Sequence, residues 1–355
     1  MSGRVACGVV VIVSAWLTSG CGGGGSETKA PGGTSASPSG SSGSQGVRFV
    51  GFDASPPLVK ALRQGKIQGL VLQNPLRMGE LGVKTMVAHL EKQPVEKKVS
   101  TGETMATPQN MDDPDVQKLL NPPKSENRAD AGSGSGKKKW RIEVIPKGTT
   151  HEFWKTIHAG AVKAADELGN VEVIWQGPIR EDERSEQIKL VQSAVAAGVD
   201  GIVLAPLDAK ALVAPVEQAV DKGIPVVIID SGLESDKPVA FVMTDNYHGG
   251  VLAAERLADL LHGEGKIILL RYAVGSASTE AREQGFVDTI KKFPKITYLS
   301  DTEYAGATSD TAQAKSQSLV TRFRGQVDGL FCPNESSSMG MLRALQGAGM
   351  LASSP

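Results

Sequence analysis

Residues 47–57 read VRFVGFDASPP. Val47 to Phe52 form a short apolar run that ends in an acid, Asp53, at the turn into a helix. That is the pattern of a buried strand. Many more strand-like runs follow, and several end in one or two polar residues. In open parallel sheets, ligands bind at the carboxyl ends of the strands. Asp53 is therefore expected to be one wall of a small-molecule cleft whose other walls lie far downstream.

A chain of 355 residues is long enough for two domains. With 22% charged and 40% hydrophobic residues, the bulk is ordinary globular protein. A formal net charge of −1 gives no argument for nucleic acid or an anionic membrane surface as partner. Three cysteines, Cys7, Cys21 and Cys332, offer no disulfide framework. Cys332 sits in the apolar run GLFCPN, where a thiol packs as a small hydrophobe. The histidines have no metal-type spacing and no Cys-x-x-Cys occurs, so no metal is expected.

Residues 1–20 carry Arg4 and then an apolar run from Val9 to Leu17, the size and polarity of a secretory signal. The stretch Leu17-Thr18-Ser19-Gly20-Cys21 resembles a bacterial lipoprotein cleavage box, with Leu17 one place further from the cysteine than usual. Cys21 is the expected lipidation site. Residues 21–46 are mostly Gly, Ser, Pro and Thr and are expected to be a flexible tether.

After the Val47 strand, a helix is expected over Leu58–Gln64 and a strand over Gly69–Leu72, ending at Gln73-Asn74-Pro75. Met78, Leu81, Val83, Met86, Val87 and Leu90 recur with helical period. Residues 99–107 read as one more short strand. The chain then turns polar, and GSGSG before Lys137-Lys138-Lys139 marks a linker. From Trp140 strands and helices alternate regularly. Runs such as GIVLA and PVVII are apolar throughout, as in strands covered on both faces. The fold class is α/β, with parallel sheets and right-handed crossovers. Val199-Asp200-Gly201-Ile202 and Val327-Asp328-Gly329-Leu330 look like one corner used in two similar lobes.

The strand ends carry the chemistry. Thr149 and Glu152 have capping-box spacing, so a helix is expected to start there. Phe153 and Trp154 then lie near its first turn, close to the cleft. In a chain with 5% aromatics, two together at a loop-to-helix junction point to stacking on a flat ligand face, although one of them packing in the core is the plain alternative. Asp230 ends PVVIID and reads equally as a turn cap or a ligand contact. Arg282 lies early in a helix, where a solvated surface cation is the commoner case. Asn334 and Asp53 each read as a helix cap or a site residue, and Gln73 as a turn or site residue. Together they make a set of carboxylates, amides and one guanidinium suited to many hydroxyls. No dinucleotide or P-loop glycine pattern follows a strand, and no nucleophile stands beside a base.

At these residues the sequence resembles the periplasmic sugar-binding proteins of the ribose-binding type, the substrate-capturing components of ABC importers. HEFW, VDGIVLAP, PVVIID, TDN at 244–246, STEAREQGF, CPNESSSMGMLRALQ, VGFDASP and VLQNP carry the likeness over about 47–107 and 140–350. The resemblance implies two doubly wound parallel-sheet lobes, the type I arrangement, closing on a monosaccharide like a hinge. Periplasmic binding proteins are a standard example of such closure. It places Phe153 and Trp154 where the family stacks aromatics, and His151 where ribose binders have an asparagine. Asp230, Arg282, Asn334, Asp53 and Gln73 match the polar set, while Ser231 replaces an arginine. The second lobe's aromatic has no match; its region reads Tyr304-Ala305-Gly306-Ala307.

The order departs from the family. VGFDASP through the Met86 helix belongs after LRALQGAGM, so the chain reads as circularly permuted. On that reading residues 47–73 belong to the second lobe, 74–98 to the first, 99–107 to a second-lobe strand and 108–139 to a tail and linker. Residues 140–243 form the first lobe and 244–355 the second. The resemblance implies a non-enzymatic receptor, periplasmic or at the cell surface, anchored in the membrane through a lipid and working with ABC importer membrane subunits. Alternatives are a sensor that presents its bound form to a membrane receptor, or the ligand domain of a regulator without a DNA-binding head.

Overall fold

The computed structural model describes residues 46–122 and 139–352. In chain order, the first stretch holds β1 (Arg48–Phe52), α1 (Pro56–Arg63), β2 (Gly69–Gln73), α2 (Pro75–Leu90), β3 (Lys98–Ser100), β4 (Glu103–Ala106) and α3 (Pro114–Leu120). The second holds β5 (Trp140–Ile145), α4 (Glu152–Leu168), β6 (Val171–Trp175), α5 (Arg184–Ala197), β7 (Gly201–Leu204), α6 (Val213–Asp221), β8 (Val226–Ile229) and β9 (Ala240–Met243). It continues with α7 (Asn246–Leu260), β10 (Glu264–Leu269), α8 (Ala277–Ile290), β11 (Lys295–Ser300), α9 (Ser309–Arg322), β12 (Gly329–Phe331) and α10 (Glu335–Ala348).

These elements build two six-stranded sheets, one in each lobe. The first-lobe sheet runs β3-β9-β8-β7-β5-β6 and is parallel throughout. The second-lobe sheet runs β11-β10-β12-β1-β2-β4 and is parallel except for the β2–β4 pair. β7 and β8 are buried along their whole length, as their unbroken apolar sequences require. In the first lobe, α2 and α4 cover one face with Met78, Met86, Ile157 and Val203, while α5 and α6 close the other with Val191, Val216 and Ile228. In the second, α7 and α8 pack over Phe52, Phe286 and Phe331, and the opposite face holds Phe49, Leu58, Leu70 and Leu345.

The repeated corner has one job in both lobes. The Asp200 carboxylate accepts the Arg141 N–H at 2.9 Å at the start of β5. The Asp328 carboxylate accepts the Lys266 N–H at 2.7 Å in β10. Asp200 thus ties the entry of β7 to that of β5, and Asp328 ties the entry of β12 to β10.

Among the described residues, the chain passes between the lobes at three neighbouring places: from β2 into α2, from β3 into β4, and from β9 into α7. Bonds across these passages hold them together. Thr101 N–H donates to Met243 O at 2.8 Å. The Thr244 hydroxyl donates to Gln73 Oε1 at 2.8 Å.

Two expectations are corrected here. Residues 99–107 are not one second-lobe strand. Val99 and Ser100 pair with β9 in the first lobe, and Glu103–Ala106 pair with β2 in the second. Gly102, at φ +82°, makes the break by taking a backbone that few other residues adopt. Residues 108–139 are not tail and linker alone, because α3 forms there and buries Val116 and Leu120 in the second-lobe core. The expected signal over 1–20, lipidation of Cys21, nearly all of the tether and residues 123–138 of the linker lie outside the described residues. No helix among the described residues is long and apolar enough to cross a membrane.

Candidate ligand-binding site

The carboxyl ends of β1, β2, β5, β8, β10 and β12 meet between the lobes around a cavity of about 30 Å3. It is lined by all eight residues singled out from the sequence: Asp53, Gln73, His151, Phe153, Trp154, Asp230, Arg282 and Asn334. Lys147, Glu181, Tyr272, Ser278, Thr279 and Glu335 join them.

Two of the acids are placed by unusual backbone. Asp53 and Asp230 adopt φ +67° and +62°, left-handed conformations that aspartate tolerates better than most residues. The turn swings each carboxylate off its strand end into the cleft. Asp53 Oδ1 accepts Gln73 Nε2–H at 2.6 Å, and Oδ2 accepts the Glu335 N–H at 3.0 Å. Burial raises the Asp53 carboxyl above its ordinary value, with the Arg282 charge opposing.

Arg282 is buried, not the solvated cation that its place in a helix first suggests. Its Nε donates to Asn246 Oδ1 at 2.8 Å and its Nη1 to Pro333 O at 2.9 Å. The guanidinium carbon lies 4.0 Å from the centre of the Phe52 ring, and Nη2 lies 4.0 Å from Asp230 Oδ1. Burial lowers its pKa, while Asp53 and Asp230 favour the charged form.

Asp230 carries a second cation. Lys147 Nζ stands 2.9 Å from Asp230 Oδ2, 3.1 Å from Ser278 Oγ and 3.4 Å from Ser276 Oγ. The lysine follows a first-lobe strand and both serines belong to the second lobe, so this ammonium spans the cleft.

Phe153 and Trp154 occupy the first turn of α4, with ring centres 4.8 Å apart and planes at 85°. They line the cavity and also pack in the first-lobe core. The expected capping box does not form. Thr149 Oγ1 donates to Pro178 O at 3.2 Å, and the N-cap is His151, whose side chain makes no capping bond. The cap comes from the other lobe: Glu335 accepts the Glu152 and Phe153 N–H groups at 3.4 and 3.1 Å. Burial pushes the Glu335 carboxyl up to about 7, against the lowering effect of His151.

His151 Nδ1 lies 2.6 Å from Glu181 Oε1, which also accepts Trp154 Nε1–H at 2.7 Å. Glu181 Oε2 accepts the Tyr272 hydroxyl. Burial works against ionisation of both His151 and Glu181. Their mutual attraction prevails, holding the imidazole at about 9 and the carboxylate at about 2. Asn334 is the N-cap of α10 in a capping box with Ser337, and its Nδ2 donates to Ser336 Oγ at 3.1 Å. It is a cap that also faces the cleft. Tyr304 is exposed and does not line the cavity; the second-lobe aromatic there is Tyr272.

Ligand pockets usually measure about 300 Å3 or more. The cavity is smaller than that, and Lys147, Glu181 and Tyr272 are among the side chains that line it. The donors and acceptors suit a compact, oxygen-rich molecule. Among the described residues no group of three or more His, Cys, Asp or Glu is arranged to hold a metal ion.

Comparison with known proteins follows the same lines. The xylitol-binding protein of Mycolicibacterium smegmatis is 30% identical over 180 residues, 51% of this chain and 51% of its own length. The chain thus spans about half the length of that relative. The D-ribose/D-allose-binding protein of Pseudomonas aeruginosa is 30% identical over 59% of this chain and 67% of its own. Among solved structures, the periplasmic component of an ABC-type sugar transport system from Hahella chejuensis superposes with a TM-score of 0.56 at 36% identity. It covers 59% of this chain and 76% of that one. An ABC transporter solute-binding protein from Agrobacterium vitis with bound D-fucose gives a TM-score of 0.57 at 35% identity, over 59% and 73%. The model of the periplasmic binding protein domain matches residues 142–354, more than half of the sequence, and on that match the chain belongs to the periplasmic binding protein family.

Proposed function

We propose that this chain captures a monosaccharide or similar small polyol between its lobes and delivers it to an ABC importer, without turning it over. The observation that carries this reading is the convergence of Asp53, Asp230, Arg282 and the Phe153-Trp154 pair on one interlobe cavity. Carboxylates accept from sugar hydroxyls, a guanidinium forks across two oxygens, and aromatic faces pack on the C–H face of a sugar ring. The relatives named for xylitol, ribose and allose, and the solved structure with bound D-fucose, support the same class of ligand. A thermal-shift and calorimetric screen against pentoses, hexoses and polyols tests it, because a binder is stabilised by its ligand. One ligand per chain is expected. A folded protein that binds none across the panel overturns the reading.

We also propose that the protein lies on the outer side of the membrane, tethered through a lipid on Cys21. The apolar run before Cys21 and the Gly/Ser-rich stretch after it support this. Cys21→Ser should move the mature protein out of the membrane fraction; unchanged partitioning refutes the anchor.

We further propose that the chain is a circular permutant. The first-lobe strands β5 to β9 lie in the sheet order β6-β5-β7-β8-β9. The second lobe has the same order only if β1 and β2 are counted after β10, β11 and β12. Val47 N–H donates to Met350 O at 3.0 Å, and Val47 bridges Leu351, so the proposed junction lies where α10 runs into β1. Exposed loops of that kind tolerate permutation best.

A further inference from the structure

Glu181 stands out among the lining residues because its carboxylate holds side chains from both lobes. Oε1 takes His151 Nδ1 and Trp154 Nε1–H, and Oε2 takes the Tyr272 hydroxyl. The first two partners belong to the first lobe, as does Glu181 itself, in the loop between β6 and α5. Tyr272 follows β10 in the second lobe. One carboxylate therefore fixes the indole of the stacking pair and grips the opposite lobe.

The grip is firmly mounted on the far side. The Tyr272 N–H donates to Glu283 Oε1 at 2.9 Å, and Glu283 Oε2 holds Arg271 Nη1 at 2.8 Å. Tyr272 is buried, so its hydroxyl has little other choice of partner when the lobes meet. When they part, the hydroxyl and Oε2 both pass to water, while the Trp154 and His151 bonds stay inside the first lobe.

We propose that Glu181 is a positioning residue that couples lobe closure to the orientation of the Trp154 ring. It touches Trp154 and Tyr272, and works on the ligand only through them. This rests on the sugar-capture reading above for its ligand, but not for its geometry. A charge-assisted hydrogen bond present only in the closed form should slow ligand escape and leave capture by the open form unchanged.

The test compares wild type, Tyr272→Phe, Glu181→Gln and the double variant, each as the full chain. Stopped-flow measurements use the sugar that gives the largest thermal shift with wild type. Tyr272→Phe should speed dissociation about tenfold and change association by less than about twofold. The double variant should match Glu181→Gln alone, since both act through one carboxylate. Unchanged dissociation in Tyr272→Phe, or effects that simply multiply, overturns the inference.

Two sugar-free measurements separate this from the function itself. Small-angle scattering of unliganded Tyr272→Phe should show a larger radius of gyration than wild type. The Trp154 Nε1–H resonance should shift in Glu181→Gln. If wild type binds no sugar, the capture reading fails, and these measurements still decide the inference. Scattering and resonance that stay as in wild type refute it.

Discussion

Gly79 of α2 and Gly160 of α4 let the two helix backbones touch. A Cβ on Gly79 would lie 2.0 Å from Ile157 O, and one on Gly160 would lie 2.0 Å from Leu76 O. The second lobe repeats the arrangement: a Cβ on Gly250 would meet Arg282 O at 1.9 Å, and one on Gly285 would meet Tyr247 O at 2.0 Å. Each clash is with backbone, which cannot rotate away. Gly79→Ala and Gly160→Ala should each destabilise the protein by about 1–3 kcal/mol, through forced separation of α2 from α4. Urea unfolding measures this, and stability within error of wild type at both positions contradicts the close crossing.

Asp53 and Arg282 should dominate ligand affinity. Arg282→Lys keeps the charge but loses the fork that reaches Asn246 and Pro333. Asp53→Asn is preferable to alanine because asparagine tolerates the positive φ. Both variants should fold, with Arg282→Lys binding about 100-fold and Asp53→Asn at least about tenfold more weakly. Calorimetry showing wild-type affinity removes that residue from the site.

The His151–Glu181 pair predicts a pH window for stability. His151 is raised from 6.5 to about 9, so its contribution is complete below about 6.5 and lost as pH rises through about 9. Glu181 is lowered from 4.5 to about 2, so its contribution is complete above about 4.5 and lost as pH falls through about 2. The stability difference between wild type and His151→Asn should be greatest between about pH 4.5 and 6.5 and shrink on both sides. A difference that is flat from pH 3 to 10 contradicts the ion pair.

Glu143 in β5 is buried, and its Oε1 has no hydrogen-bond partner among the described residues. Burial pushes the carboxyl up from 4.5 to about 7, so the folded protein is penalised increasingly as pH rises through that range. Glu143→Gln should stabilise the protein at pH 8 by on the order of 1–3 kcal/mol, with the gain vanishing near pH 4.5. A gain that does not depend on pH points to packing instead of charge.

The permuted order is tested by separating the two described stretches. Chains 46–122 and 139–355 expressed together should copurify and bind the ligand, because β1 and β2 complete a sheet with β12. Residues 139–355 alone leave Phe331 and Leu330 without their β1 neighbours and the cleft without Asp53 and Gln73. If that fragment alone is stable and binds as tightly as the whole, the N-terminal stretch is not part of the site.

The apolar strand runs were legible because burial on both faces leaves few choices of residue, as in GIVL and VVII. That eight residues meet at one cavity was legible because their strand ends and the family likeness pointed the same way. Glu181 was not, since in Arg180-Glu181-Asp182-Glu183 it reads as a solvated charge run, and its partners Trp154, His151 and Tyr272 lie 27, 30 and 91 residues away. Lys147 was passed over for the same reason: Ser276 and Ser278 lie well over a hundred residues away. Capping was misread at Thr149, because local spacing carries no information about a cap supplied by Glu335 on the other lobe. The switch of sheets at Gly102 was hidden by strand propensity, which is similar on both sides of it.

The place of β1 in its sheet also bears on how the protein is made. Phe52 N–H donates to Ser338 Oγ across 286 residues of sequence. At roughly 5–20 residues per second, a ribosome needs on the order of 15–60 s to supply the second partner after the first. Throughout that interval the second-lobe sheet lacks its centre, and the second lobe cannot lock into its final shape. The first lobe, whose last strand β9 ends at Met243, has all its strands earlier, so the second lobe is the later of the two to close.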